Sequence, residues 1–315
     1  MSRAFRDSLI ALLCVAAGVS AGVWMLGSAL SAPAQRQLGP APPALAAEAV
    51  AFPSQSGGTI RAWLVRGTPG GGVVVLAHSV RANRLELVDR ALFLRRAGYS
   101  ALLFDAQAHG ESAGDRITFG YREALDARAA VAWVRERFPG EPMGYLGLSQ
   151  GGAAALLGPA PLPVQALILE AVYPTLREAV VARIAIRLGA LAPYVAPLLL
   201  LQVGPRLGVD VDALAPIERI GQIRAPLLLI AGDRDRHTPL AASQRLFDAA
   251  PEPKQMWIVR GAAHVDFHRA APAEYEQRVT EFLDHALHRG PDAKRRTRDA
   301  QRTARSGVRE LASTR

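Results

Sequence analysis

Met143-Gly144-Tyr145-Leu146-Gly147-Leu148-Ser149-Gln150-Gly151-Gly152 reads as a short buried strand followed by Gly-x-Ser-x-Gly, with Ala153, Ala154 and Ala155 opening a small-residue helix. A serine hydroxyl is a weak nucleophile at neutral pH and needs a base and N–H donors beside it. A sharp strand-to-helix turn supplies the presentation, because it holds the serine in a strained backbone conformation with its oxygen exposed. Gly147 and Gly151 are the elbow glycines: a Cβ at either place would collide with the neighbouring strand or helix. The five-residue pattern also fits an ordinary glycine-rich βα turn, so its surroundings decide the reading.

Those surroundings alternate. Val50–Pro53 and Thr59–Val65 read as a hairpin, and Gly72–His78 as a strand buried on both faces. Strand patterns then recur at Ser100–Asp105, Met143–Leu148, Ala166–Glu170, Pro226–Gly232 and Gln255–Val259. Helical patterns fall between or after them at Leu85–Ala97, Tyr121–Phe138, Gln150–Leu157, Leu240–Ala249 and Ala273–His288. This order predicts an α/β fold with a doubly wound, mostly parallel sheet and helices on both faces. Ligands bind such sheets at the carboxyl ends of the strands. Thr175 to Ile223 is far longer than a βα unit needs and is rich in Leu, Ala and Val, so it is expected to be a helical cap at about 175–223 over an apolar pocket.

Three chemically useful groups fall just beyond different strands. Ser149 follows Met143–Leu148, Asp233 and Asp235 follow Pro226–Gly232, and His264 in Gly261-Ala262-Ala263-His264 follows Gln255–Val259. A nucleophile, an acid and a base in the order Ser…Asp…His form an acyl-transfer site, with histidine taking the serine proton and the carboxylate holding the imidazole. His264, Asp266 and His268 alternate, but no third partner at ligand spacing and no His-Glu-x-x-His is visible, so neither metal nor cofactor is expected. His78 and His109 are expected to brace loops, and His237 lacks the strand-end setting of His264.

These motifs resemble the α/β-hydrolase superfamily, in particular its capped serine-hydrolase branch with esterase-, lysophospholipase- and serine aminopeptidase-like members. The resemblance covers roughly Val50 to Leu287. Beyond the elbow it rests on Ala77-His78, Asp105-x-x-x-His109-Gly110-Glu111-Ser112, Ala231-Gly232-Asp233-x-Asp235-x-x-Thr238-Pro239 and Gly261-x-x-His264. It implies Ser149 as nucleophile, His264 as base and Asp235 as acid, with Asp233 belonging to the turn. It also implies an oxyanion hole from the backbone N–H groups of Gln150 and Val80. The family commonly has His-Gly where this chain has His78-Ser79, and Asp-x-Arg-Gly-His-Gly where it has Asp105-Ala106-Gln107-Ala108-His109-Gly110. The expected activity is a serine hydrolase acting on a carboxylic ester, with a lipophilic acyl ester or thioester favoured by the apolar cap. An amide hydrolase of the aminopeptidase kind is the alternative, and would need an acidic cap residue from among Glu170, Glu178, Asp210 and Asp212. A silent, membrane-tethered binding module is a reading of another class.

The ends of the chain carry their own signals. No charge occurs between Asp7 and Arg36, and Leu9–Leu30 is an apolar run of 22 residues, about 33 Å as a helix and enough for a bilayer. Arg3 and Arg6 precede it, so an uncleaved transmembrane anchor over 1–35 is expected, with the domain outside the cytoplasm. A secretory signal with a cleavage site near Ala32-Pro33-Ala34 is the rival. Residues 36–47 read as a Pro/Ala linker, 48–290 as the hydrolase-like domain and 291–315 as a basic disordered tail. That tail holds eight Lys/Arg against Asp292, Asp299 and Glu310, more than half of the net charge of +9. The body is therefore only mildly basic, and the expected partners are a small-molecule acyl substrate and a membrane rather than nucleic acid. The single cysteine, Cys14, excludes a disulfide framework and a Cys-based zinc site.

Overall fold

The computed structural model of the chain describes residues 2–264 and 267–288. The basic tail and Asp266 lie outside the described residues. The strands are β1 (Glu48–Pro53), β2 (Thr59–Val65), β3 (Val73–Ala77), β4 (Ser100–Phe104), β5 (Met143–Leu148), β6 (Ala166–Glu170), β7 (Leu227–Gly232) and β8 (Lys254–Val259). They form one sheet in the order β1-β2-β4-β3-β5-β6-β7-β8. The β1–β2 hairpin and the β2–β4 pair are antiparallel, and all other pairs are parallel. This is the α/β-hydrolase fold.

Residue choice explains the layering. The central strands β3, β4, β5, β6 and β7 are buried along their whole length, as continuous apolar runs require when helices cover both faces. Edge strand β1 instead leaves alternate residues exposed and buries Phe52. On one face, Ala127 and Val131 of α3 (Glu123–Arg137), Ala153 of α4 (Gln150–Leu156) and Leu246 of α9 (Leu240–Asp248) share a core with Tyr145 and Leu167. On the other face, Ala91 and Leu94 of α2 (Val88–Arg96) join Val279 and Phe282 of α11 (Pro272–Leu283) over Leu146 and Ile168.

The insertion between β6 and β7 forms α5 (Leu176–Leu188), α6 (Ala192–Leu200), α7 (Val203–Leu207) and α8 (Ile217–Ile220). Thr175 caps α5 by accepting the N–H of Glu178 at 3.1 Å. Gly189, at φ 53°, ends it and turns the chain into α6. Leu176, Ala179, Val203 and Leu207 bury into the same core cluster as α3 and α4. The cap is therefore packed onto the domain along that side.

The segment expected to be a linker is packed too. Ala34–Gln35 pairs in parallel with His109–Gly110, and Leu45 is fully buried beside Trp63. Glu111 accepts the N–H groups of Leu38 at 3.0 Å and Gly39 at 3.3 Å. Composition pointed to a free tether because seven of the twelve residues 36–47 are proline or alanine; buried Leu45 and the acceptor Glu111, more than 70 positions from Leu38 and Gly39, decide otherwise. Ahead of it, α1 (Arg3–Ser31) runs for 29 residues, and its C-terminal turns lie against the domain. Arg81, in the loop after β3, donates to the carbonyls of Ala29 and Ala32 at 3.1 Å, and Ile117 donates to Ser31 O at 2.8 Å.

Arg84 joins the loops at the carboxyl ends of β3 and β4. Its side chain is buried, pairs with Asp105 and Glu111, and lies 4.4 Å over the Trp63 ring. Asp105 also accepts the N–H groups of Arg84 at 2.7 Å and Glu111 at 2.8 Å. Arg84→Met would leave that buried carboxylate without its cation and is expected to cost about 3–5 kcal/mol; a thermal melt of the variant against wild type checks this.

Candidate active site

The elbow forms as its glycines demand. Ser149 has φ 48° and ψ −109°, a conformation few non-glycine residues adopt. A Cβ on Gly147 would lie 2.6 Å from the backbone of Gly151, and one on Gly151 would lie 2.5 Å from Ala77 O. Gly152 is equally constrained, since its Cβ would strike Val172. The Ser149 N–H donates to Glu170 O at 2.7 Å, which fixes the turn against β6. Glu170 is itself held by Arg90 Nη2 at 2.6 Å and by the Tyr275 hydroxyl, all three buried. Non-glycine residues with positive φ also follow β3 (Arg81), β4 (Ala108) and β6 (Ala171), so backbone strain gathers at the carboxyl ends of the central strands.

His264, Asp235 and Ser149 meet there. His264 Nδ1 lies 2.7 Å from Asp235 Oδ2, and its Nε2 lies 3.1 Å from Ser149 Oγ. A carboxylate only accepts, so Nδ1 carries the proton and Nε2 presents its lone pair to the serine O–H. Asp235 is aimed by two backbone donors on its other oxygen, His237 N–H at 2.7 Å and Thr238 N–H at 2.8 Å. Thr238 in turn donates through Oγ1 to Ala171 O at 3.2 Å. Asp233, the other carboxylate in this turn, accepts the Gly261 N–H at 2.6 Å and so ties the end of β7 to the turn that carries His264. The two aspartates thus occupy separate places, one on the imidazole and one in the turn.

Two backbone N–H groups flank the serine loop without an acceptor among the described residues. Gln150 is the first residue of α4, where an amide has no intrahelical carbonyl. In the loop after β3, Ser79 gives its N–H to Glu86 at 2.7 Å, while that of Val80 has no acceptor among the described residues. His78 holds this loop. Its Nδ1–H donates to Ser79 O at 2.7 Å and its Nε2 accepts the Ala106 N–H at 3.0 Å. Burial lowers the pKa of His78 to about 4. The His109 ring lies 4.9 Å away, and burial followed by the proximity of His78 lowers its pKa to about 4 as well. Both imidazoles are braces kept neutral.

Several neighbours escaped the sequence reading. The His237 ring sits 5.0 Å from that of His264, closer than its missing strand-end setting implied. Arg90, Glu170 and Tyr275 support the elbow and lie 80 or more positions from one another in sequence, so no local motif links them. Arg183 shares the inward stripe of α5 with Leu176 and Ala179, one turn apart at each step. It is within electrostatic reach of Tyr173, Asp235 and His237, and burial lowers its pKa. It makes no hydrogen bond or ion pair among the described residues. His268, whose alternation with His264 and Asp266 carried no metal expectation, donates through Nε2 to Glu276 at 3.2 Å. Ser149 is 1% exposed, so the oxygen expected to be exposed at the elbow is enclosed in this structure.

Comparison with known proteins gives a consistent picture of kinship. The family model described as serine aminopeptidase, S33, matches residues 69–211, from the approach to β3 through most of the cap. An uncharacterized protein of Mycobacterium tuberculosis is 31% identical over 222 residues, covering 69% of this chain and 72% of its own length. The uncharacterized protein YfhR of Escherichia coli is 25% identical, covering 76% and 82%. Among solved structures, a Pyrococcus furiosus esterase superposes with a TM-score of 0.68 at 23% identity, over 82% of this chain and 98% of that one. The esterase domain of a Rhodothermus marinus protein gives 0.56 at 18%, over 76% and 99%. Both structures share the fold.

The buried histidines set a pH dependence. Below about pH 6.5 the unfolded chain protonates these imidazoles, whereas the folded chain keeps His78 neutral until about pH 4. Stability is therefore complete above 6.5 and is lost as the pH falls towards 4. Between pH 6.5 and 5 the loss from His78 is about 2 kcal/mol. Thermal unfolding at the two pH values should show it in wild type and show less of it in His78→Gln.

Proposed function

The chain belongs to the α/β-hydrolase superfamily and is a hydrolase, and within that family we propose that it cleaves carboxylic esters through Ser149, His264 and Asp235 by way of an acyl-enzyme. The observation that carries this reading is the single imidazole spanning Asp235 at 2.7 Å and Ser149 at 3.1 Å. Ser149 Oγ attacks the carbonyl carbon as its proton passes to His264 Nε2, and Asp235 stabilises the imidazolium that forms. The N–H groups of Gln150 and Val80 receive the developing oxyanion, each worth about 3 kcal/mol of barrier. Collapse expels the alcohol, which takes the proton from His264. Water, deprotonated by the same nitrogen, then attacks the acyl carbon, and the acid and free Ser149 are released.

The cap favours an ester over an amino-terminal amide. Holding a substrate ammonium needs a free carboxylate, and the four candidates are engaged elsewhere. Glu170 pairs with Arg90, and Glu178 with Arg245 at 2.7 Å. Asp212 pairs with Arg177 at 2.8 Å, and Asp210 accepts the Asp212 N–H at 2.9 Å. The ionic group left facing the triad is Arg183, of the wrong sign for an amine and the right one for an acidic group on the substrate. A silent scaffold is disfavoured because strain at Ser149, of order 1–3 kcal/mol, has no use without a reaction.

The N-terminal helix supports membrane attachment. The carbonyls of Ala29 and Ala32 receive Arg81, next to Val80, so cleavage that removed α1 would strip a support from the loop proposed to hold the oxyanion. This favours a retained anchor, with the domain on the non-cytoplasmic side as Arg3 and Arg6 indicate.

The full chain in detergent should be labelled on serine by a fluorophosphonate, and Ser149→Ala and His264→Ala should each abolish the label. Labelling that survives Ser149→Ala would contradict the assignment. Asp235→Asn should lower kcat on a p-nitrophenyl ester by about 10⁴. Arg183→Gln should lower kcat/KM for an ester bearing a free carboxylate by about tenfold or more relative to its neutral analogue. Equal losses on both substrates would reduce Arg183 to a structural residue.

A further inference from the structure

We propose that the outer face of the cap, formed by α6 and the residues flanking it, is seated in the lipid bilayer beside α1, giving the domain a second membrane contact. The inference rests on α1 being a membrane helix and not on the role of Ser149.

The cap presents apolar surface where a water-facing helix would present charge. Leu191, Tyr194, Leu198 and Leu201 are 59%, 79%, 43% and 74% exposed. They recur at i, i+3, i+7 and i+10, which puts them on one face of the helix. Ala192, Ala196 and Leu200 on the opposite face are buried. From Leu188 to Pro205 the chain carries no charged residue. The stretch Leu176–Leu200 has the length and apolarity of a membrane span, but Arg177, Glu178, Arg183 and Arg187 divide its first half and the Gly189 turn breaks it. An apolar face of this kind lies in the interface plane rather than crossing the bilayer.

The position of α1 says what covers that face. Ahead of the cap contact, residues 8–22 make about 22 Å of uncharged helix, and Arg3 and Arg6 beyond them reach to the far headgroups. At the end of that stretch is Trp24, half-exposed, a residue type that collects at the lipid–water boundary. The cap is fastened to α1 at this level. Gln202 donates to Val23 O at 3.0 Å, and Arg206 donates to Trp24 O at 2.9 Å and to Ser28 Oγ at 2.6 Å. The Arg206 guanidinium stacks 4.2 Å over the Trp24 ring. Gly27 permits the approach, since a Cβ there would strike Gln202. The exposed apolar face of α6 is thus continuous with the lipid-facing surface of α1, with Arg187 exposed and Arg206 at headgroup height. A small apolar crevice lined by Leu30, Phe119, Leu176 and Val180 runs from this junction towards the inner face of α5.

The test places a nitroxide on the full chain in phosphatidylcholine/phosphatidylglycerol nanodiscs and compares its collisions with oxygen and with a water-soluble nickel chelate. The label goes on native Cys14 in α1, or on Tyr194→Cys in a Cys14→Ser background. Glu136→Cys, exposed on α3 at the opposite edge of the sheet, is the aqueous reference. The proposal expects both Cys14 and Tyr194→Cys to show an oxygen-to-nickel ratio roughly tenfold above that of Glu136→Cys, as lipid exposure requires. A Tyr194→Cys label as open to nickel as Glu136→Cys, with Cys14 still in lipid, overturns the cap contact and leaves the anchor standing. A label shielded from both reagents means that protein, such as a second copy of the chain, covers the face, and also overturns it. Nickel access at Cys14 removes the premise and the proposal with it. Fluorophosphonate labelling of the same samples reports on the hydrolase reading separately.

Discussion

The left-handed backbone at Ser149 is the constraint on which the site depends. An L-residue resists that conformation, and here three things enforce it together. Gly147, Gly151 and Gly152 let β5 and α4 approach within distances that a Cβ would forbid. The Ser149 N–H is held by Glu170 O. The Glu170 side chain is locked in turn by Arg90 and Tyr275, buried between the sheet and the α2/α11 layer. Such a buried ion pair is weak evidence for stability, because desolvation offsets most of its attraction. Its value lies in position, since losing either partner would strand a charge directly beneath the proposed nucleophile.

The same logic extends outward from the elbow. The loops at the carboxyl ends of the strands are tied by polar groups: buried Arg84 to Asp105 and Glu111, buried His78 to Ser79 and Ala106, buried Thr238 to Ala171, and exposed Asp233 to Gly261. A loop alone is mobile, yet an acyl-transfer site needs its groups within about 0.5 Å of a productive geometry. These ties supply rigidity where the sheet itself ends. The end of α1 reaches these loops through Arg81, one residue beyond Val80. The N-terminal helix and the proposed oxyanion loop are therefore mechanically joined.

How much was legible in the sequence follows from the range of each signal. The eight strands and the main helices were readable within a residue or two because apolar runs and glycine or proline stops are local. Ser149, Asp235 and His264 were readable as a set because each follows its own strand, and strand ends converge in a parallel sheet. What could not be read was contact between distant positions. The Pro/Ala stretch 36–47 looked like a tether, since nothing nearby announces that Glu111 will cap Leu38 and Gly39. Arg183 carries no local signal in the sequence, and only the packing of Leu176 and Ala179 on the same stripe of α5 turns it towards the site. Arg90, Glu170 and Tyr275 belong to three elements with no shared motif.

The proposed mechanism requires Ser149 to become acylated during turnover. An acid quench of the full chain within milliseconds of mixing with a p-nitrophenyl ester, followed by mass analysis of its peptides, reads this out. An acyl mass increment is expected on the peptide containing Ser149, rising in step with the first release of p-nitrophenol and gone in Ser149→Ala. Turnover with no increment on that peptide, or an increment on another side chain, would contradict it.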